Sequence, residues 1–345
     1  AGCRVIVPYL RGYGPTRSVG VAAAAVTLVI PAYVYKWEPI KEVAILGEIL
    51  AISAVVMCML FVAADMGRPD RFWHLIPGLG NMNFPNSVLS WDVLVLNLYL
   101  VLNAAIVGHV LYRGIQGKPY NARLIVPLVL FSIPAAVAIH TVTAFLYAGL
   151  SGRPFWNASI LAPRFIASAF CSGPAILLML FQILQRTAKF AIKNEAMEKI
   201  AELMAYFMFV NLFLLGAEVF KEYYWATDHV VHFQYLFSGV HGHNALVPFS
   251  AAFVGCGIVA FLIFLIPATR RNILTRNVGC LLIYASVYIE KGMGLVIPGM
   301  TPDMLGEIYE YTPTLTELRV GAGIFSIGFL IFTLLTKLAI PIMNG

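Results

Sequence analysis

The stretch VAILGEILAISAVVMCMLFVAA, residues 43–64, decides the fold class of this chain. It contains one charged side chain, Glu48, within an otherwise almost wholly apolar run. A helix that crosses the hydrocarbon core of a bilayer needs about 20 mostly apolar residues, and this run is long enough. The stretch therefore predicts a membrane-spanning helix.

Similar apolar runs recur along the rest of the chain. The predicted spans are Val19–Tyr35, Val43–Ala64, Val88–Tyr112, Leu124–Leu150, Phe165–Leu184, Ile200–Phe220, Ala245–Ala268, Val278–Ile297 and Leu318–Ile342. Lipid offers no hydrogen-bond partners to a backbone, so such runs predict helices. We expect an all-α integral membrane fold, a single domain over residues 1–345 with about nine transmembrane helices. The chain opens with Ala, so we expect a preceding segment that could supply a tenth.

The composition agrees with a membrane protein and excludes several other classes. Apolar residues make up 60% of the 345 residues and charged residues 12%, against about 25% charged in soluble domains. The net charge is +6, but no basic run carries interleaved aromatic residues. We therefore expect the lipid bilayer as the surrounding medium and no nucleic-acid partner.

The loops between the predicted spans alternate in character. One set is short and basic, which by the positive-inside rule predicts the cytoplasmic face. The other set is longer and rich in Pro, Gly, Trp, His and acidic residues. Its members are DMGRPDRFWHLIPGLGNMNFPN (65–86), SGRPFWNASILAPR (151–164), KEYYWATDHVVHFQYLFSGVHGHN (221–244) and IPGMTPDMLGEIYEYTPTLTE (297–317). These long loops are expected to face outward and to carry function.

Cysteine and histidine spacing argues against a metal cofactor in this chain. No two of the five cysteines lie within three residues of each other, so an iron–sulfur cluster or covalent haem is not expected. Haem b would need two histidines at matching depth, whereas His140 lies in the outer half of its span and His109 lies near the inner end of the third. The H-x-x-H and H-x-H spacings at residues 229–243 leave zinc as a weak alternative.

Ionisable side chains at membrane depth are costly, so each is a candidate functional residue. His140 lies inside the fourth span, and Tyr147 lies two helical turns further on the same face. The polar types gathered at the outer boundary suit a quinone, whose carbonyls need donors and whose quinol form gives up protons. The candidate quinone-site residues are His140, Tyr147, Asp65, Arg68, Arg153 and Trp91, with His140 and Asp65 as the catalytic pair.

A second set of charged residues predicts a proton path. Its members are Glu218, Glu290, Lys291, Arg319 and Glu48. Structural readings remain open beside these functional ones. Asp65 with Arg68 can anchor a helix end, Trp91 can belong to an interfacial aromatic belt, and Glu290 with Lys291 can form a satisfied pair.

Several segments together resemble one known family. DMGRP (65–69), NSVLSWD (86–92) and HTVTAFLYAGLSGRPFWN (140–157) resemble the NrfD/PsrC family of polysulfide-reductase-type membrane subunits. YLFSGVHGHNALVP (235–248) and YIEKGMGLVIPGMTPDMLGEIYEYTPTLTELRVG (288–321) resemble its DsrP/HmcC-like branch, which usually has ten spans. The resemblance covers nearly the whole chain.

The resemblance implies a quinone-interacting membrane subunit of a respiratory redox complex in sulfur or sulfate metabolism. Such a subunit exchanges electrons between menaquinol or menaquinone and an extracytoplasmic four-cluster iron–sulfur subunit. Cytochrome c and further membrane redox subunits are also implied, with no haem or cluster in this chain. By position, the resemblance points to Asp65, Arg68, His140 and the stretch from Tyr147 to Arg153 as the quinone site.

We therefore expect a menaquinol oxidoreductase subunit in a prokaryotic cytoplasmic membrane. Two other classes stay open from the sequence. Broken helices and polar clusters at the midplane would favour an ion- or proton-translocating transporter. A passive membrane anchor for redox subunits would make no use of His140 or Asp65.

Overall fold

The chain folds into a bundle of long helices. The computed structural model describes residues 25–26, 28–35, 37–65, 68–76, 78–187, 192–226, 229–302, 306–308, 310 and 314–344. Within these ranges, eight helices are long and apolar enough to cross a membrane. The same ranges contain no β-strand, only an isolated bridge between Val240 and His243. The predicted all-α membrane fold is confirmed. Of the first predicted span, Val19–Tyr35, residues 25–26 and 28–35 are described, and Ile30–Val34 forms a π-helical turn. The rest of that span lies outside the described residues.

From Glu38 onward the described residues form eleven α-helices, of which the eight longest correspond to the other eight predicted spans, with ends that differ by several residues. They are α1 (Glu38–Asp65), α2 (Val88–Ile115), α3 (Ala122–Ala148), α4 (Leu161–Thr187), α5 (Asn194–Trp225), α6 (Val230–Phe237), α7 (Val247–Leu265), α8 (Pro267–Arg271), α9 (Ile273–Lys291), α10 (Ile297–Met300) and α11 (Leu315–Asn344). A π-helical turn, Gly292–Val296, joins α9 to α10. The predicted span Val278–Ile297 is therefore not one regular helix. Two glycines in this turn weaken the preference for a regular helix.

The helices form two groups. Helices α4, α5, α7 and α9 pack in a closed ring, each against the next, which makes a four-helix bundle. Helices α1, α2 and α3 pack side by side, and the π-helical turn Ile30–Val34 contacts both α1 and α3. Helix α11 returns to pack against α1 and α2, and α3 packs against α4. We call α4–α5–α7–α9 the second bundle and the group around α1–α3 the first bundle.

The connections divide the molecule into two ends. Those that follow α1, α3, α5 and α10 lie at one end, which we call the long-loop end. Those that follow α2, α4 and α7 lie at the other, the short-loop end. The predicted alternation of long and short loops is thus reproduced by the helix directions. Most of the candidate functional residues lie near the long-loop end.

Candidate functional site

His140 lies on the buried face of α3, about 12 Å from the long-loop end of that helix. Its Nδ1–H donates a hydrogen bond to the carbonyl of Ala136 at 2.7 Å, which orients the ring along its own helix. Thr143 and Tyr147 are also buried, and their spacing of three and seven residues from His140 puts all three on one face. The side-chain face predicted from the sequence is therefore present.

A buried carboxyl group faces this stripe from the neighbouring helix. Asp92 lies one turn inside α2, and Thr143 donates its hydroxyl hydrogen to Asp92 Oδ1 at 3.0 Å. Both side chains are buried. The sequence analysis did not select Asp92 as a site residue, although a lone acid in an apolar span is itself a signal. His140, Thr143 and Asp92 together form a polar centre in the first bundle.

Tyr147 leads from this centre to an aromatic cluster between the bundles. Its ring lies 5.1 Å from the ring of Trp156 and 6.1 Å from that of Phe165, measured between centroids. Trp156 belongs to a short 3₁₀ turn, Pro154–Trp156, that follows α3. The cluster closes the long-loop end of the interface between α3 and α4.

The segment after α9 is held by three side chains from outside it. Trp156 Nε1–H donates to the Leu295 carbonyl at 2.8 Å, and Arg153 Nη1 donates to the Met300 carbonyl at 2.9 Å. His232, on α6, donates from Nδ1 to the Pro298 carbonyl at 2.7 Å. Burial lowers the pKa of His232, although its bonds to backbone carbonyls oppose that shift. Arg153, a predicted quinone-site residue, thus binds the backbone at this end.

Of the other predicted quinone-site residues, Arg68 and Trp91 lie away from His140, and the side chain of Asp65 is not among the described ones. Arg68 is exposed, with Nε 3.9 Å from Asp70 Oδ1. Trp91 is largely exposed, donates from Nε1 to the Pro85 carbonyl at 2.9 Å and packs on Phe84. Asp65 ends α1, and its side chain lies outside the described residues. The structure brings neither Arg68 nor Trp91 into contact with the buried stripe of α3.

A cluster of four charged side chains is buried in the second bundle. Arg164 of α4 donates to Glu218 of α5 through Nη1 and to Glu290 of α9 through Nη2, the latter at 2.8 Å. Lys291 Nζ lies 3.2 Å from Glu290 Oε1, and the amide of Asn211 donates to Glu290 Oε2 at 2.9 Å. Two positive and two negative groups balance, which is what burial of charge in a membrane requires. We call these five residues the ion cluster.

Lys291 also contacts an aromatic ring. Its Nζ lies 4.7 Å from the centroid of the Phe165 ring, which is a cation–π distance. The sequence had predicted Glu218, Glu290 and Lys291 as charged residues of one path. It missed Arg164 and Asn211, because their partners come from helices far apart in the chain. The fourth predicted member, Arg319, is exposed on α11, which is not part of the second bundle.

Glu48 lies deep in the first bundle, nearer the short-loop end. Its side chain is buried on α1, and neither carboxyl oxygen has a hydrogen-bond partner among the described residues. Burial of a carboxyl group without a hydrogen-bond partner is costly in an apolar interior. Glu48 is therefore separated from the ion cluster in both bundle and depth.

An apolar cavity of about 530 Å³ opens in the first bundle, and its lining includes Val93, the neighbour of Asp92 in the chain. It lies between α1, α2 and the loop that joins them. Its lining is almost entirely apolar, and the residues are Met59, Val62, Ala63, Phe72, Leu75, Ile76, Met82, Val93, Leu94, Leu96 and Asn97. The volume is in the range of small-molecule sites. In the part of the chain that the structure describes, no group of three or more His, Cys, Asp or Glu could hold a metal ion.

Comparison with known families identifies the family of this chain. The family model described as polysulphide reductase, NrfD, matches residues 18–300, which is most of the chain. The chain belongs to the NrfD family. The family predicted from the sequence motifs is confirmed, and the chain is a multi-pass membrane subunit of the redox-complex type.

Relatives over nearly the whole chain carry names of the same kind. A relative from Halobacterium salinarum, named as a putative membrane subunit of dimethyl sulfoxide reductase, is 26% identical over 91% of this chain and 78% of its own length. A selenate reductase subunit from Mesobacillus selenatarsenatis is 21% identical over 94% and 84%. An Hdr-like menaquinol oxidoreductase integral membrane subunit from Archaeoglobus fulgidus is 24% identical over 93% and 81%.

Proposed function

We propose that this NrfD-family chain is the quinone-interacting membrane subunit of a respiratory redox complex. It exchanges electrons between menaquinol or menaquinone and an extracytoplasmic four-cluster iron–sulfur subunit. The observation that carries the proposal is the buried stripe of His140, Thr143 and Tyr147, with Asp92 facing it, near one membrane boundary. The name of the Archaeoglobus relative, a menaquinol oxidoreductase subunit, supports the choice of quinone.

The tautomer of His140 suits it to quinol chemistry. Because Nδ1–H is donated to Ala136, Nε2 is the acceptor nitrogen of the neutral ring. A neutral ring can accept the proton of a quinol hydroxyl there, and the protonated ring can donate to a quinone carbonyl. Menaquinol supplies two electrons and two protons when it is oxidised. His140 holds one proton at Nε2 in this proposal, and Asp92 or Asp65 accepts the other.

The apolar cavity beside α2 fits the remaining needs of a quinone. Its lining residues come from the ends of α1 and α2 nearest the long-loop end, at the depth of Asp92. A hydrophobic ring and tail would bury against Met59, Phe72 and Leu96 there. We propose that the head group lies between this cavity and the α3 stripe. Tyr147 lies at the long-loop end of that stripe and Arg153 follows it in the next connection. Arg68 and Trp91 stay predictions for the entrance.

Protons released at this end need a route, and the charged residues suggest one. We propose that the ion cluster and Glu48 are stations for protons in the two bundles. Glu218, Glu290 and Lys291 lie in one hydrogen-bonded group, whereas Arg319 is remote from it. Because this cluster is buried and hydrogen-bonded, it also favours the second candidate, a proton-translocating subunit. The two functions are compatible in one chain.

We propose that the long-loop end faces outward in a prokaryotic cytoplasmic membrane and receives the iron–sulfur partner. The basic short loops support this orientation. Exposed aromatic side chains in the loop after α1, among them Phe72, Trp73 and Phe84, are suited to a protein contact. Cytochrome c, further membrane redox subunits and a role in sulfate respiration follow only from the DsrP/HmcC-like motifs.

The test is binding of a menaquinone analogue to the purified complex, followed by fluorescence quenching. Native complex should bind saturably, and His140→Ala should weaken binding at least tenfold, or about 1.4 kcal/mol. His109→Ala is the matched control, because His109 accepts a backbone hydrogen bond at the short-loop end, far from the site. Saturable binding that is equal in all three proteins would reject the His140 site. Absence of binding to native complex would reject the quinone function itself.

A further inference from the structure

The segment Gly292–Met300 begins beside the ion cluster and is hydrogen-bonded by side chains from outside the second bundle. We call it the π-segment, since it begins with the π-helical turn Gly292–Val296. At its start it follows directly on Lys291, a member of the ion cluster. Along its length its backbone carbonyls accept hydrogen bonds from Trp156, Arg153 and His232, which lie outside the second bundle. The π-segment is therefore in contact with the ion cluster at its start and with these three side chains along its length.

The register of a π-helical turn controls the orientation of the residues beside it. Such a turn holds one residue more than an α-helical turn, so moving it along the chain by one position rotates the residue it passes by about 100°. Lys291 is the first residue it would pass on moving toward α9. In the present register Lys291 Nζ lies 3.2 Å from Glu290 and 4.7 Å from the Phe165 ring. A shifted register would remove Lys291 from both.

Trp156 fits the present register closely. Its indole N–H donates to the carbonyl of Leu295, which lies inside the π-helical turn. Its ring packs against Gly299 so tightly that a Cβ there would overlap the indole Nε1. A residue other than glycine would push the indole away, so this contact is specific to the observed register. Trp156 is buried, which makes the hydrogen bond costly to leave unmade.

Tyr147 packs against both Trp156 and Phe165. Its ring meets Trp156 edge-on at 5.1 Å and Phe165 at 6.1 Å. Trp156 holds the π-segment, and Phe165 lies under the Lys291 ammonium. A displacement of Tyr147 therefore acts on the π-segment and on the ion cluster at once.

We propose that Trp156 is a positioning residue that couples the Tyr147 face of the first bundle to the ion cluster of the second. When Tyr147 moves, Trp156 releases the Leu295 carbonyl, the π-helical turn shifts toward α9 and Lys291 rotates away from Glu290. Whether Lys291 pairs with Glu290 then depends on the position of Tyr147 in the first bundle. The inference rests on the proposed function only for the identity of what moves Tyr147.

The test is a double-mutant cycle on hydrogen–deuterium exchange of residues 288–300 in the purified complex. Trp156→Phe keeps the ring and removes the N–H donor, and Glu290→Gln removes the charge that holds Lys291. If the Trp156 hydrogen bond and the Glu290 charge hold the same register, each single variant raises the exchange rate of residues 288–300. The increase in the double variant should then be at least about fivefold smaller than the product of the two single increases. Trp225→Phe is the matched control, since Trp225 is exposed at the end of α5 and should combine additively.

Additive effects of Trp156→Phe and Glu290→Gln would overturn the proposal, because a purely local role for Trp156 predicts independence. If Trp156→Phe does not fold, Gly299→Ala, which displaces the indole, replaces it in the same cycle. A second measurement adds the menaquinone analogue. It should change exchange of residues 288–300 in the native complex but not in Trp156→Phe, with analogue affinity kept within about threefold. An equal change in both would also overturn the coupling, whereas failure of native complex to bind the analogue counts against the proposed function alone.

Discussion

Removal of Arg164 is the sharpest test of the ion cluster. Arg164 is the only side chain in the cluster that bridges two carboxylates, Glu218 and Glu290. The side chains of these three residues are 8%, 5% and 3% exposed. In Arg164→Met the two buried carboxylates would share Lys291 as their nearest cation. Loss of one partner from a buried ion pair costs about 3–5 kcal/mol, and we expect a loss of this size.

The chain contains its own control for this change. Arg271 Nε lies 3.3 Å from Glu198 Oε2, but these side chains are 66% and 36% exposed at the short-loop end. An exposed pair of this kind contributes about 0.2–1 kcal/mol, so Arg271→Met should lose no more than that. Both variants exchange the same two residue types, and the difference between them isolates the effect of burial.

The assay is reversible unfolding of the purified subunit in mixed micelles, from which the free energy of unfolding is obtained. A third variant, Arg164→Met with Glu218→Gln, removes one of the stranded charges and should recover part of the loss. The interaction between the two changes should reach about 0.5–3 kcal/mol. The reasoning fails if Arg164→Met loses no more than Arg271→Met. It also fails if removal of the Glu218 charge makes the protein still less stable.

Three further changes test other parts of the structure. Gly279→Ala places a Cβ 2.7 Å from the Phe264 ring and should cost about 1–3 kcal/mol in the same assay, whereas Gly255→Ala meets no atom within 4 Å and should be neutral or stabilising. Because burial lowers the pKa of His232, the unfolded chain binds more protons than the folded chain once pH falls below about 6.5. Stability should therefore fall as pH decreases through that window, and His232→Gln should show a smaller fall in its unfolding midpoint. Asp92→Asn should slow quinol oxidation by the complex at least about 100-fold with the analogue still bound, and unchanged turnover would exclude Asp92 as a proton acceptor.

The fold was predictable because a bilayer imposes one simple rule on the sequence. Each long apolar run must satisfy its own backbone, so length and hydropathy give the number and placement of the helices. The π-helical turn after Lys291 escaped this rule, since Gly292–Val296 is as apolar as the helix around it. What distinguishes it is the indole of Trp156 on the Leu295 carbonyl, and that contact joins residues 139 positions apart.

The candidate site was predictable in part for a similar reason. His140 and Tyr147 share a helix, and their spacing alone places them on one face. Arg164 lies 54 residues from Glu218 and 126 from Glu290, so only packing of α4, α5 and α9 reveals that it joins them. Trp91 illustrates the opposite case, because its neighbour Asp92 turns inward while Trp91 itself is exposed. Adjacent residues on a helix point about 100° apart, and the sequence does not say which of the two faces the bundle.

The positions of the two polar centres would allow one chain to combine the electron and proton chemistry that we propose. His140 with Asp92 lies in the first bundle, and the ion cluster lies in the second, yet both are close to the long-loop end. A displacement at one centre can reach the other through a contiguous set of packed side chains. Tyr147, Trp156 and Phe165 form the packed connection between them. Loss of the Trp156 hydrogen bond should therefore leave His140 and Asp92 in place, while the pairing of Lys291 with Glu290 no longer follows the position of Tyr147. Loss of either centre alone could not produce this outcome.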